Sequence, residues 1–125
     1  MKDEFVFNFE KLRVWQDARL MVKSVYEATS TFPPHEAYGL TNQIRRASVS
    51  VVSNLAEGNS KTSAKNKARF SEIAYASLME LTCQLILSVD LRYLSKEQYD
   101  LLKEHIKSIS NQIISLKKYQ LGMKG

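Results

Sequence analysis

This sequence predicts an all-α fold, a single antiparallel up-down-up-down four-helix bundle. Three observations carry that reading. Apolar residues recur at alternating spacings of three and four in four separate segments, the breaks between segments are short, and the 125 residues include only 4 Gly and 2 Pro. The spacing marks one buried stripe per helix. Short connections force neighbouring helices antiparallel, and the scarcity of turn formers argues against a β fold. One domain, residues 1–125, is expected, with helices at about 9–31, 36–57, 64–92 and 95–121.

In the first segment Trp15, Ala18, Val22, Val25 and Thr29 form the stripe, which stops at Phe32-Pro33-Pro34. Proline lacks an N–H and pushes its predecessor out of helical geometry. The second segment turns Leu40, Ile44, Ala47, Val51 and Leu55 inward, and Gly58 reads as the left-handed residue that closes it. Thr62 or Ser63 then serves as the cap of a third helix carrying Phe70, Ile73, Ala74, Ser77, Leu81, Leu85 and Val89. Ser95, with Gln98 three residues on, forms a capping box. It opens a fourth helix whose Leu102, Ile106, Ile109, Ile113 and Leu116 follow a bundle-like seam.

Several apolar residues fall off these stripes: Leu12, Val14, Met21, Tyr26, Val49, Tyr75, Tyr93, Tyr99, Ile114 and Leu121. One four-helix core cannot hold them all, so a second, oligomeric surface is expected.

With 44% hydrophobic and 25% charged residues the chain has the composition of a folded globular protein. Its one cysteine, Cys83, excludes an internal disulfide and a cysteine-based metal site, and in an apolar helical run it reads as a buried thiol. Met1-Lys2-Asp3-Glu4 has acids where a secretory signal needs basic residues, and no apolar run approaches the ~20 residues of a membrane span. A cytoplasmic protein without a membrane partner is therefore expected.

The net charge of +5 matters only if it is localised. Residues 1–60 balance seven basic against seven acidic side chains, whereas Lys61, Lys65, Lys67 and Arg69 have no acid among them. After Glu104 come Lys107, Lys117, Lys118 and Lys124, again with no acid. Up-down-up-down topology places the connection between helices two and three at the same end as the close of helix four. The two basic runs then converge on one pole, where a multi-phosphate polyanion is the natural partner. Lysines in such places also complement helix dipoles and maintain solubility. No aromatic residue lies among these lysines in sequence, which gives single-strand stacking little support, and no helix-turn-helix or zinc module is present.

A di-iron bundle needs Glu-x-x-His pairs, and neither His35 nor His105 has a glutamate three residues earlier. There is no nucleophile motif and no glycine-rich phosphate loop. Asp90, Glu72 and Glu80 read as structural or solvated carboxylates. No metal, no cofactor and no enzymatic activity are expected.

The densest feature is the run from Gln43 to Gly58. Gln43, Arg46, Ser50, Asn54 and Glu57 fall three or four apart, so polar groups line one helical face. Buried and mutually bonded, with Glu80 and Gln84 as partners on helix three, they would form a polar seam of Gln43, Asn54, Glu57 and Glu80. Arg45 and Arg46 suit either ion pairing or phosphate binding.

Leu12-Arg13-Val14-Trp15-Gln16, Phe32-Pro33, Gly39-Leu40, Gln43-Ile44-Arg45-Arg46-Ala47, Asn54 to Gly58, Arg69-Phe70, Ile73-Ala74 and Ser77-Leu78-Met79-Glu80-Leu81 follow one another in this order. Together, across roughly residues 9 to 120, they resemble the bacterial four-helix-bundle family often encoded in intervening sequences of 23S ribosomal RNA genes. Relatives include the accessory variability determinant protein of diversity-generating retroelements. The resemblance implies a non-catalytic homo-oligomer, commonly a pentameric ring, with a basic surface suited to RNA or DNA. In the retroelement branch it implies a reverse transcriptase partner. On this reading the nucleic-acid contacts are Lys61, Lys65, Lys67, Arg69, Lys117 and Lys118, with Arg45 and Arg46. The alternative is a structural or protein-interaction oligomer that binds no nucleic acid.

Overall fold

The computed structural model describes residues 4–122. Four helices are present: α1, Arg13–Thr29; α2, Leu40–Asn59; α3, Ala64–Asp90; and α4, Lys96–Gln120. Each packs on its neighbours in chain order, and α4 returns to α1, so the helices stand at the corners of a square with no diagonal contact among the described residues.

The helix ends follow from local chemistry. A 3-10 turn at Asn8–Lys11 gives way to an extended Leu12, so α1 starts later than its sequence pattern suggests. Thr29 closes α1 by donating its hydroxyl to the Val25 carbonyl at 2.8 Å. Helix α2 also begins later than expected, because Pro34–Glu36 forms its own 3-10 turn. The Glu36 carboxylate then folds forward to accept the Leu40 N–H at 3.0 Å. Gly39 makes this fold possible, since a Cβ there would lie 2.7 Å from Glu36 Oε1. Ser63 caps α3 by accepting from Asn66 N at 3.1 Å. Ser95 and Gln98 form the expected capping box on α4, at 3.1 and 3.0 Å.

Gly58 does not take the left-handed role. It lies within α2, is buried, and is not among the residues with positive φ. What it provides is close approach: a Cβ there would stand 2.7 Å from Phe70 Cβ, so the absence of one lets α2 meet α3 just before the turn between them.

Met21, Ile44, Val51, Leu78, Leu81, Leu85, Ile109 and Ile113 fill the interior and are almost wholly buried. Each contributes roughly 1.5–3 kcal/mol of transfer free energy. The buried stripe of α1 is Val14, Ala18, Met21, Val25 and Thr29; Trp15 and Val22 lie at its margin. On α3, Leu78 is fully buried while Ile73 faces out.

Part of the apolar surplus is thus absorbed by the bundle's own interior, since Val14, Met21 and Tyr99 are core residues. Leu12, Tyr75 and Tyr93 are half-buried against that core, whereas Tyr26, Val49, Ile114 and Leu121 stay exposed on or beside the other helices. A separate exposed apolar set lies on the outer face of α3: Ile73, Met79, Ile86 and Leu87, with Leu91 just past its end, and Cys83 is exposed on the same face rather than buried. By length and composition alone α3 could cross a membrane, contrary to expectation, yet it packs along α2 and α4. Its unusual apolarity comes from having one face toward the core and a second left open.

Candidate nucleic-acid interface

Lys61 lies in the connection between α2 and α3, Lys65, Lys67 and Arg69 on the first turns of α3, and Lys117 and Lys118 on the last turn of α4. The close of α4 packs against the start of α3. Ser71 Oγ donates to Gln120 Oε1 at 2.6 Å, and Lys117 Nζ stands 3.2 Å from Glu72 Oε2. Lys61, Lys65, Lys67 and Arg69 therefore share one end of the bundle with Lys117 and Lys118, while Lys107 lies midway along α4.

The cations differ in how far they are committed. Lys67 donates to the Asn59 carbonyl at 3.0 Å and so closes the C-terminus of α2. Lys61 Nζ sits 5.0 Å from the Phe70 ring centroid, a cation–π contact that leaves its charge unneutralised. Lys117 shares its charge with Glu72. Lys65, Arg69 and Lys118 are exposed, and no ion pair forms to them among the described residues. Lys124 lies outside the described residues.

Arg45 and Arg46 do not join this pole; they stand roughly 20 Å of helix away from the end of α2. Arg45 is a clamp between helices, donating to Thr29 Oγ1 at 2.9 Å and to the Tyr26 carbonyl at 3.2 Å while its guanidinium lies 4.5 Å from the Tyr26 ring centroid. Its Nε and Nη2 are thus engaged at the close of α1. Arg46 is exposed in a groove between α2 and α3 with Gln43 and Glu80.

The polar seam forms only in its middle. Ser50 and Ser77 hydroxyls meet at 2.8 Å across α2 and α3, and Asn54 Nδ2 donates to the Ser50 carbonyl at 2.8 Å. Gln43 and Glu57 are exposed, and Glu80 bonds to Gln84 on its own helix at 3.2 Å instead of to α2. Of the seam residues, only Ser50, facing the small Ser77 of α3, bonds across to the neighbouring helix among the described residues.

A feature the basic runs did not reveal is an aromatic ladder at the same end. Phe5 and Phe7 meet edge to face at 4.9 Å, Phe7 and Phe9 stack at 6.0 Å, and Phe9 meets Trp15 at 5.0 Å. The alternation Phe5-Val6-Phe7-Asn8-Phe9 is visible in the sequence, but only the fold places it. Asn8 Nδ2 donates to Asn59 Oδ1 at 3.0 Å, so Asn59 joins the ladder to Lys67.

Among the described residues, no group of three or more His, Cys, Asp or Glu side chains is arranged to hold a metal ion.

The family described as 23S rRNA-intervening sequence protein matches residues 10–115 of this chain. The chain belongs to that family. The chain also shares its fold with a crystal structure of a protein of unknown function from the S23 ribosomal protein family of Bacteroides thetaiotaomicron VPI-5482. Identity is 20% and the TM-score 0.75, over 84% of this chain and 98% of the other. No curated protein matches the sequence.

Proposed function

We propose that the protein is a non-catalytic homo-oligomer of the cytoplasm, a pentameric ring as the resemblance implies, that binds RNA or DNA through phosphate contacts. The observation that supports this reading is the meeting of Lys61, Lys65, Lys67 and Arg69 with Lys117 and Lys118 at one end. Oligomerisation multiplies such contacts, so modest affinity per protomer becomes avidity. Titration of labelled RNA and DNA at several salt concentrations tests it. Each neutralised phosphate steepens the log–log slope by about 0.7–0.9. Undetectable binding at low salt would remove the proposal.

The open apolar face of α3 favours a second reading, a structural or protein-interaction oligomer whose basic pole only confers solubility. It differs in one outcome: reversing the charges of Lys61 and Lys65 leaves its function intact. A reverse transcriptase is the expected partner if the chain comes from the retroelement branch, and co-purification with that enzyme from the native cell tests this.

A further inference from the structure

We infer that the basic pole binds unpaired nucleic acid, with Phe5 and Phe7 stacking on bases while the neighbouring lysines hold the backbone. The inference rests on the phosphate-binding reading above and adds the ligand class to it.

Three observations carry it. Phe5 is 81% exposed and Phe7 59%, an arrangement that leaves large ring faces in water although the bundle interior is close at hand. The ladder holds them there: Phe9 and Trp15 anchor it, and Trp15 packs on the core. Asn59 ties the ladder to the cationic end through Lys67, accepting from Asn8 through its side chain and from Lys67 through its carbonyl. Exposed rings at the cationic end of a bundle are what a single strand requires, because its bases are free to stack and its phosphates follow a cationic track. A duplex hides its base faces and offers such rings nothing.

The same chemistry could suit an anionic bilayer, but the local backbone argues against it. Residues 4–7 lie outside any helix or strand, Phe7 is extended, and its N–H donates to the Glu10 carboxylate at 2.8 Å. Sinking this segment into lipid would strip water from open backbone groups and from a carboxylate. Stacking on bases leaves both hydrated.

The experiment uses the full chain and two fluorescein-labelled probes, an oligo(dT) 20-mer and a 20-base-pair duplex, followed by anisotropy at fixed salt. Wild type should bind the single strand more tightly. The double variant F5A/F7A should lose about tenfold or more on the single strand, in line with the cost of removing a stacking ring, while its duplex affinity and salt slope stay unchanged. K61A/K65A should weaken both probes and flatten the slope. Equal loss on both probes for F5A/F7A, or no loss on either, overturns stacking while leaving the phosphate reading in place. No wild-type binding to either probe overturns both. Co-sedimentation with phosphatidylserine vesicles that depends on Phe5 and Phe7, with single-strand affinity unaffected by the same change, overturns the inference in favour of a membrane. Because both rings are exposed, unchanged circular dichroism of F5A/F7A excludes misfolding as the cause.

Discussion

The Tyr93 hydroxyl donates to Glu36 Oε2 at 3.0 Å and ties the loop before α2 to the loop after α3. The other carboxylate oxygen of Glu36 accepts the Leu40 N–H, so one side chain both starts a helix and joins two connections.

That double use sets a pH dependence. The Leu40 N–H first, and the Tyr93 hydroxyl second, hold the Glu36 carboxyl below its ordinary value. A depressed folded-state value means that the ionised form stabilises the fold above the unfolded pKa, and that this stabilisation fades as pH falls through the folded one. Glu36→Gln should therefore melt at a lower temperature than wild type at neutral pH, and the gap should narrow on acidification below about pH 4. A gap independent of pH would contradict the assignment.

Gly58→Ala tests the close approach of α2 and α3. Alanine is the better helix former by about 1 kcal/mol, yet its methyl group would meet the unyielding Cβ of Phe70. Overpacking costs typically ~1–3 kcal/mol, so net destabilisation is expected in urea unfolding. Stabilisation would show that the helices can part cheaply.

Arg45→Ala should destabilise the protein by about 1–2 kcal/mol, the scale of charge-assisted hydrogen bonds that are partly open to water. It should leave nucleic-acid affinity unchanged. Arg45→Lys should rescue little, because a single ammonium cannot both span Thr29 and Tyr26 and stack on the ring. Loss of binding without loss of stability would instead place Arg45 in the ligand contact.

The outer face of α3 predicts an assembly defect. Leu87→Glu, with or without Met79→Glu, adds charge where the side chains already meet solvent in the protomer. Helicity should persist while light scattering falls to the single-chain mass of 14.3 kDa. A wild-type mass already at that value would remove the oligomer altogether.

The four helices were legible because a strict spacing of three and four admits few alternatives, and the Ser95–Gln98 capping box was readable as it stands. The rotation of α1 was not. Ala18, Val25 and Thr29 belong equally to the stripe through Trp15 and Val22 and to the one through Val14 and Met21. Only the bulk of tryptophan, which sits at the margin, separates them. Periodicity also failed on α3, where apolar residues run nearly all round the helix, so Ile73 and Leu78 exchanged places between surface and core. For the site, topology was enough to bring two lysine runs together. The commitment of Lys67 to Asn59, of Lys117 to Glu72 and of Arg45 to α1 depends on angles between helices, which no spacing rule encodes.

An even number of antiparallel helices brings Phe5 and Gly122 out at the same end of the bundle, beside Lys61 and Lys118. A fluorescent group attached at Phe5 or Gly122 would therefore sit at the cationic end. The opposite tip, around Ser30 and Arg92, is where a dye or surface tether should be attached if affinity is to be measured undisturbed.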